Sequence, residues 1–271
     1  MIRKLLIAAA LFSVATLSQA QSLSEQAEIA IQSVVNVRTK DAITYSRLGE
    51  VPGVQSGWPT KATEYLNRWL TNWRLIPAEL APAYDSTGFI VEVESRTYVM
   101  TAAHSVEEMR RDIVTITTLD GQEHAARLVG HEPRRDGLDI ALLSVPTLES
   151  PALQFAQGVE RGELVAVLKS PTRPRNNIGA GVVTETNQAL EATPKSWGGR
   201  ELIKIDATVF KGDSGGPVIN EAGQVIGVIS MLHSSNEMGF LVNADQALAA
   251  AHRIASNCDV SDPCDLLAVI E

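Results

Sequence analysis

The sequence predicts an all-β protein that ends in one α-helix. Short runs rich in Val, Ile, Thr and Tyr recur from residue 87 to residue 242, with turn-forming residues between them. This spacing is typical of sandwiches or barrels. The run after residue 243 is instead rich in alanine. A composition of 45% hydrophobic and 20% charged residues over 271 positions, with 19 Gly, indicates a globular chain of one or two domains.

Residues 1–20 have the layout of a secretory signal peptide. Arg3 and Lys4 give a positively charged N-terminal region, and residues 5–17 are apolar or small. Residues 18–20 (Ser-Gln-Ala) resemble a signal-peptidase site, which predicts cleavage after Ala20. The apolar run is short for a membrane span, and an uncleaved anchor is the alternative. No later stretch of the sequence is long and apolar enough to cross a bilayer. We therefore expect a periplasmic or secreted protein.

Charge and cysteine content limit the partners of the exported chain. Removing residues 1–20 leaves 21 basic and 32 acidic residues and a net charge of −11, without basic blocks. This balance argues against nucleic acid and anionic lipid as partners. Cys258 and Cys264 are the only cysteines and predict one local disulfide, with two free thiols as the alternative. A zinc site would need two further ligands, and only the poorly spaced His252 lies near.

The first third of the chain is the least regular. Residues 22–33 predict a short helix that leads into a strand at 34–38. Residues 40–84 contain several Gly and Pro and are predicted to be irregular, although residues 63–75 fit an amphipathic helix. The aromatic segment 58–75 is expected either to cover its own domain or to join subunits in a homo-oligomer. Its pattern is carried by Tyr65, Leu66, Trp69, Leu70 and Trp73.

The remaining elements follow from β-rich runs between turn residues. Residues 244–256 are predicted to form the final helix, with Asn243 as its N-cap. The sequence shows no internal repeat and no low-complexity segment. The predicted strands occupy residues 89–93, 97–101, 113–118, 125–130, 140–145, 164–168, 181–186, 202–206, 217–219, 225–230 and 240–242.

Residues 212–217 (Gly-Asp-Ser-Gly-Gly-Pro) are the most distinctive segment. Glycine tolerates positive φ and allows close backbone approach, so such a loop can present Ser214 on a tight turn beside N–H groups. Those N–H groups are what a tetrahedral acyl intermediate needs for its oxyanion. The alternative is a plain tight turn before a strand. A nucleophilic serine also needs a base and an orienting acid.

Five histidines could serve as the base. His104 ends a predicted strand after two alanines and is placed to face a cleft. His124 and His131 are predicted to flank a strand in a charged, exposed region, and His252 lies on the final helix. The fifth is His233.

The acid candidate is Asp139, which opens an apolar strand and is expected to be partly buried. Its competitor Asp136 lies in a charged turn beside Arg134 and Arg135. A plain aspartate at the start of a strand is the alternative interpretation of Asp139.

Three ordered motifs resemble the trypsin-like (chymotrypsin-fold) serine peptidases. They are residues 101–104 (Thr-Ala-Ala-His), 139–143 (Asp-Ile-Ala-Leu-Leu) and 212–217. The order His, Asp, Ser differs from that of subtilisins and α/β-hydrolases. The resemblance covers residues 21–256. It implies two antiparallel six-stranded β-barrels, at about 28–145 and 160–243, a C-terminal helix at 244–256, and a tail at 257–271 that carries the cysteines.

Within that superfamily the chain is similar to the bacterial HtrA/Deg-type branch. The similarity lies in residues 34–37 (Val-Val-Asn-Val), 205–207 (Ile-Asp-Ala) and 239–242 (Gly-Phe-Leu-Val). That branch often has a long loop after its first strand and is commonly trimeric.

The chain also departs from the families that it resembles. The 15 or so residues after the helix are too few for the PDZ domain typical of HtrA proteins. Ser105 stands where animal trypsins have a cysteine. No Ile-Val-Gly-Gly segment is present to become a new N-terminus, so Asp213 must have a partner other than a terminal amine.

The resemblance implies a serine endopeptidase that acts on exported proteins. Ser214 would be the nucleophile, His104 the general base and Asp139 the orienting acid. The oxyanion loop would comprise Gly212, Asp213 and Ser214, with the N–H groups of Gly212 and Ser214 as donors. No metal or organic cofactor is expected. The alternative is a catalytically silent binding or chaperone protein on a peptidase scaffold.

The resemblance also predicts a specificity pocket between residues 208–212 and 229–232. Thr208 stands where trypsin carries an aspartate, so no charge is offered to Lys or Arg. A pocket walled by Thr208, Ile229 and Leu232 would prefer small aliphatic side chains such as Val, Ala or Thr. The predicted substrate-binding residues are Thr208, Phe210, Ile229, Ser230, Met231 and Leu232.

Overall fold

The structure, a computed structural model, describes residues 22–40, 83–106, 114–134, 137–172, 177–189, 201–232 and 238–257. The predicted signal peptide, the aromatic segment 58–75 and the Cys258–Cys264 pair lie outside these ranges, and they stay predictions. Helix α1 spans residues 22–30 and continues into the 3₁₀ turn Ile31–Ser33. The strands and the second helix are β1 Val34–Lys40, β2 Ala83–Val93, β3 Arg96–Ala102, β4 Val114–Thr117, β5 Glu123–Glu132, β6 Ile140–Ser144, β7 Leu164–Leu168, β8 Ile178–Ala189, β9 Glu201–Asp206, β10 Pro217–Ile219, β11 Val225–Leu232, β12 Met238–Asn243 and α2 Ala244–Ser256.

These twelve strands close into two antiparallel barrels of six. The first barrel has the neighbour order β1-β2-β3-β6-β5-β4 and closes through the pairing of β1 with β4. The second has the order β7-β8-β9-β12-β11-β10 and closes through β10 and β7. Both barrels therefore share one connectivity. The predicted fold class, two six-stranded barrels with a C-terminal helix, is confirmed.

Alternation along the strands explains the core of each barrel. In β6, Ala141 and Leu143 face the interior of the first barrel, and Ile140 and Leu142 face outward. This is the two-residue period of a pleated strand. The second barrel has its own interior cluster, which includes Val165, Val167, Ile203, Ile205, Val218, Ile226 and Leu241.

A third apolar cluster joins the two barrels and explains why β6 is buried on both faces. It includes Ile140 and Leu142 from the first barrel and Leu168 and Ile219 from the second. Helix α1 adds its buried face, Leu23, Ala27 and Ala30. Helix α2 follows the second barrel in sequence and packs on both barrels, against β5, β6 and β2 of the first and against β11 and β12 of the second.

Several strand boundaries differ from the sequence prediction, and three of the differences bear on the argument. Strand β2 begins at Ala83, inside the segment predicted to be irregular, because residues 83–86 pair with β1. Strand β8 runs on to Ala189. His124 and His131 lie within β5 rather than beside a strand. In contrast, the predicted N-cap of α2 is confirmed, since the Asn243 side chain accepts a hydrogen bond from the Asp245 N–H at 2.9 Å.

Neither helix in the part of the chain that the structure describes is long and apolar enough to cross a membrane.

Candidate active site

His104 lies in the 3₁₀ turn Ala103–Ser105, directly after β3. The preceding residues, Ala102 and Ala103, are fully buried, and their small side chains let the end of β3 approach the residue before β6. The Ala103 N–H donates to the Asp139 carbonyl at 3.1 Å. The His104 side chain keeps 23% of its surface exposed, so its ring remains accessible from solvent.

Asp139 is fully buried, directly before β6, where the sequence predicted partial burial. Its φ of 61° lies in the left-handed region, which Asp tolerates better than most residues. Its carboxylate accepts the His104 backbone N–H at 2.9 Å, faces His104 Nδ1 at 2.8 Å, and accepts the Ser230 hydroxyl. An ionised carboxylate only accepts, so Nδ1 carries the hydrogen and the neutral ring keeps its lone pair on Nε2. The competing candidate Asp136 lies outside the described residues.

Ser214 lies in the loop between β9 and β10, flanked by two glycines with positive φ. Gly212 has a φ of 92° and Gly215 a φ of 82°. A Cβ on Gly215 would lie 2.3 Å from the Thr87 carbonyl oxygen, so only glycine fits there. The Gly215 N–H donates to the Ile229 carbonyl of β11 at 2.7 Å. The loop is thus pressed between the two barrels.

Asp213 closes a tight turn with Phe210 inside this loop. The Asp213 N–H donates to the Phe210 carbonyl at 3.0 Å, and the Phe210 N–H donates to Asp213 Oδ2 at 2.8 Å. The turn thus already uses the Asp213 N–H, which agrees with the choice of the Gly212 and Ser214 amides as the expected donors. Gly212 and Ser214 remain the candidate donors.

Thr87, a residue that the sequence analysis missed, holds the loop from the first barrel. Its N–H donates to the Ser214 carbonyl at 3.0 Å, and its hydroxyl donates to the Gly212 carbonyl at 2.8 Å. Its own carbonyl accepts the Thr101 hydroxyl at 2.7 Å. No sequence signal marked Thr87, which follows Asp85 and Ser86 in a polar stretch of β2, and only the structure shows that it is fully buried and what it contacts.

Lys169, also missed, lies beneath the loop from the second barrel. Its Nζ donates to the Thr208 carbonyl at 2.9 Å and lies 3.9 Å from Asp213 Oδ2. The same ammonium lies 5.2 Å from the centroid of the Phe210 ring. This is the partner for Asp213 that the sequence left open. A charged residue directly after the apolar strand Leu164–Leu168 was the signal that could have found it.

A cavity of about 460 Å³ brings the base and nucleophile candidates to one surface, since His104 and Ser214 both line it. Asp85, Arg134 and Lys211 place charged side chains on the same wall. Its other lining residues are Thr39, Tyr84, Ser86, Ser105, Gly212, Ser230 and Met231.

The predicted specificity residues divide into two groups. Ser230 and Met231 line this cavity, and Thr208 and Phe210 are exposed. The assignment of Ile229 to a pocket wall is wrong, because its side chain is 1% exposed and packs in the core of the second barrel. The side chain of Leu232 lies outside the described part of the structure.

A polar chain beside the cavity connects the barrels. The Ser170 hydroxyl donates to Asn36 Oδ1 at 2.9 Å, and the Asn36 amide donates to Asp85 at 3.0 Å. Asp85 also accepts Arg38 Nε at 2.9 Å. This hydrogen bond, aided by the charge of Asp85, raises the pKa of Arg38 above its usual value. Among the described residues no group of three or more His, Cys, Asp or Glu could hold a metal ion.

Comparison with known proteins assigns the family. A family model described as "Trypsin-like peptidase domain" matches residues 86–228, more than half of the chain. The chain belongs to the trypsin-like peptidase family. Within that family the chain is similar to curated relatives named DegP-like.

Two of these relatives are named "Probable periplasmic serine endoprotease DegP-like". The one from Ectopseudomonas mendocina (strain ymp) is 28% identical over 269 residues, covering 95% of this chain and 54% of the relative. The one from Marinomonas sp. (strain MWYL1) is 26% identical over 252 residues, covering 88% of this chain and 50% of the relative. This trypsin-like chain thus spans about half the length of these relatives.

Solved structures of two proteases share the fold. The inactive form of the Rv3671c protease from M. tuberculosis superposes with a TM-score of 0.58 at 25% identity, covering 85% of this chain and 92% of that one. The HtrA-type protease AlgW, solved with a tripeptide, superposes with a TM-score of 0.62 at 18% identity, covering 87% and 64%. At this lower identity the likeness shows the fold alone.

Proposed function

We propose that this trypsin-like chain is a serine endopeptidase that hydrolyses peptide bonds of exported proteins. Ser214 is the nucleophile, His104 the general base and Asp139 the residue that orients it. The observation that carries the proposal is the hydrogen bond between His104 Nδ1 and the buried Asp139 carboxylate, on a ring that shares a cavity with Ser214.

The reaction follows from the protonation states at these three residues. Because Nδ1 donates to Asp139, the free lone pair on His104 Nε2 accepts the Ser214 proton as Oγ attacks the peptide carbonyl. Collapse of the tetrahedral intermediate breaks the C–N bond, and the His104 imidazolium gives its proton to the leaving amine. Water then attacks the acyl ester, His104 takes its proton, and Ser214 regains one as the acid product leaves. Asp139 stabilises the imidazolium in both halves.

The developing oxyanion is stabilised by backbone N–H groups of the serine loop. Gly212 and Ser214 supply the donors, since the Asp213 N–H is used within its turn. Loss of one such donor costs about 10²- to 10³-fold in kcat. The contacts of Thr87 with the carbonyls of Gly212 and Ser214 support this role, because they fix the backbone that directly follows each donor N–H.

The substrate class is proposed from the relatives and from the site. The DegP-like relatives are named periplasmic serine endoproteases, and residues 1–20 predict export, so we propose a periplasmic location. Thr208 offers no carboxylate to a basic side chain, and Met231 contributes apolar surface to the cavity. We therefore propose cleavage after small aliphatic residues. Sequencing the cleavage products of a denatured protein mixture tests this, and dominant cleavage after Lys, Arg or Glu contradicts it.

A serine-reactive fluorophosphonate probe tests the proposed chemistry directly. The full-length protein should be labelled and should degrade an unfolded protein substrate. The Ser214→Ala variant should lose labelling, and its turnover should fall by about 10⁶-fold. Ser256→Ala, at the end of α2 and bonded to Glu94, is the matched control that should keep both activities. A folded wild-type protein that neither reacts nor cleaves would instead be a catalytically silent binding protein.

A further inference from the structure

Beneath the serine loop lies a buried ion pair whose role the proposed reaction leaves unassigned. The Lys169 side chain is 5% exposed and that of Asp213 is fully buried. Burial of a charged group is unfavourable unless the charge is compensated by a partner and by hydrogen bonds. An ammonium and a carboxylate buried together at this point therefore stabilise a specific arrangement of the chain around them.

Three contacts of the Lys169 ammonium fall on the segment that leads into Ser214. Nζ donates to the Thr208 carbonyl, lies over the Phe210 ring, and faces the Asp213 carboxylate. Three residues before Ser214 (Thr208, Phe210 and Asp213) are thus arranged around one cation, and Asp213 also bonds the backbone of Phe210 in both directions.

We propose that Lys169 is a positioning residue of the serine loop, and that its ammonium keeps the Gly212 and Ser214 amides directed at the oxyanion. Asp213 lies between these two amides in the chain, so the direction of its side chain governs the peptide units on both sides. Without the cation the buried carboxylate would turn toward water, and the turn with Phe210 would open. The inference rests on the proposed peptidase function.

This arrangement differs from that of zymogens in the family that the chain resembles. In those zymogens an amine created by cleavage pairs with the aspartate before the serine. Here a side chain that follows β7 supplies the positive charge, so folding of the second barrel itself assembles the loop. The serine loop is then competent in the folded chain without a cleavage step.

Two substitutions at position 169 test the role of the charge. Lys169→Met keeps the length of the side chain and removes the charge, whereas Lys169→Arg keeps the charge. The matched control is Lys204→Met, on β9 of the same barrel. Lys204 Nζ lies 2.8 Å from Glu185 Oε1, and this ion pair is not part of the serine loop. We expect kcat/KM to fall by about 10²- to 10³-fold in Lys169→Met, which is the effect of losing one oxyanion donor. Lys169→Arg should recover most of it, and Lys204→Met should equal the wild type.

Affinity for a peptide boronate separates positioning from a general structural effect. This inhibitor forms a tetrahedral adduct with the serine, whereas a product peptide shortened by its last residue does not reach the oxyanion donors. Lys169→Met should weaken boronate binding by the same factor as kcat/KM and leave product binding unchanged. Equal weakening of both ligands, or a kcat/KM close to that of the wild type, would overturn the inference.

A second pair of variants covers the case in which Lys169→Met does not fold. Asp213→Asn can still accept the Phe210 N–H but lacks the charge, so we expect a similar loss of kcat/KM in a folded protein. In the double variant Lys169→Met/Asp213→Asn the two losses should not multiply, because both remove the same interaction. Losses that multiply, or full activity of Asp213→Asn, would refute the role of the pair. Absence of fluorophosphonate labelling in the wild type would instead refute the peptidase function on which the inference rests.

Discussion

The two barrels share one strand order but position their site residues by different means. In the first barrel, His104 follows β3 and Asp139 precedes β6, and these strands are direct neighbours with Ala102 opposite Ile140. In the second barrel, Ser214 lies between β9 and β10, which are not paired with each other. Strand register therefore brings the base and the acid together, with one added hydrogen bond to Asp139 from Ser230 of β11. The serine loop instead depends mainly on contacts from outside its own strands.

Those outside contacts come from both barrels and leave the loop little freedom. Lys169 contacts the loop from the second barrel, and Thr87 holds it from the first. We conclude that the base and acid are secured by local pairing, and that the nucleophile is secured by tertiary packing. Substitutions in the two regions should therefore fail in different ways.

The largest expected effect tests the first-barrel pair. Asp139→Asn should lower kcat by about 10⁴-fold while the protein stays folded, because the amide would donate to Nδ1 and leave the hydrogen on Nε2. Asn also tolerates the left-handed backbone at this position. Steady-state kinetics and circular dichroism measure the two properties. An unfolded Asp139→Asn protein would show that register does not suffice to hold this region.

Gly215→Ala should disrupt the contact between the serine loop and the first barrel. The new Cβ would meet the Thr87 carbonyl oxygen at 2.3 Å and Thr101 Oγ1 at 2.4 Å. The control is Gly158→Ala, which has φ of 99° but open space around the Cβ position. Since both variants bear the cost of positive φ, the overpacking should make Gly215→Ala less stable by a further 1–3 kcal/mol or so. Urea unfolding measures the difference, and equal stabilities would contradict the close contact.

Thr87→Val removes the hydroxyl that bonds to the serine loop and keeps the volume of the side chain nearly constant. The Gly212 carbonyl would lose its 2.8 Å hydrogen bond, so the free energy of unfolding should fall by about 1–3 kcal/mol. We expect kcat/KM to fall by about tenfold, as for a loss of about 1.4 kcal/mol in transition-state stabilisation. Thr87→Ser keeps the donor and should behave like the wild type. Equal activity of the Val and Ser variants would show that the first barrel does not hold the loop through this bond.

The smallest effect concerns α2, which links the second barrel to the outside of the first. Asn243→Ala removes the cap on the Asp245 N–H and should lower the free energy of unfolding by about 1 kcal/mol. Because α2 lies away from the catalytic candidates, kcat should not change. A fall in kcat would mean that a change in the packing of α2 on β5 and β6 alters the positions of His104 and Asp139.

Much of this architecture could be predicted from local sequence patterns. The strands follow from β-rich runs between turn residues, and the α2 cap follows from an Asn before an alanine-rich segment. The motifs around His104, Asp139 and Ser214, in that order, indicated the family. The start of β2 was missed because its residues Tyr84 and Asp85 carry no apolar pattern and are recruited by pairing with β1.

The sequence by itself determined which segments become strands and which residue types surround the candidate serine, because the two-residue apolar period and the glycine positions are encoded locally. Tertiary structure alone decided that Lys169 faces Asp213 and that Thr87 bonds to Gly212, 125 positions away. It also decided that Ile229 points into a barrel core and that the Asp213 amide closes a turn. Contacts between residues that are distant in sequence depend on how the two closed barrels pack together. A local sequence pattern can indicate that a side chain is buried, but it does not indicate which residues the side chain will contact.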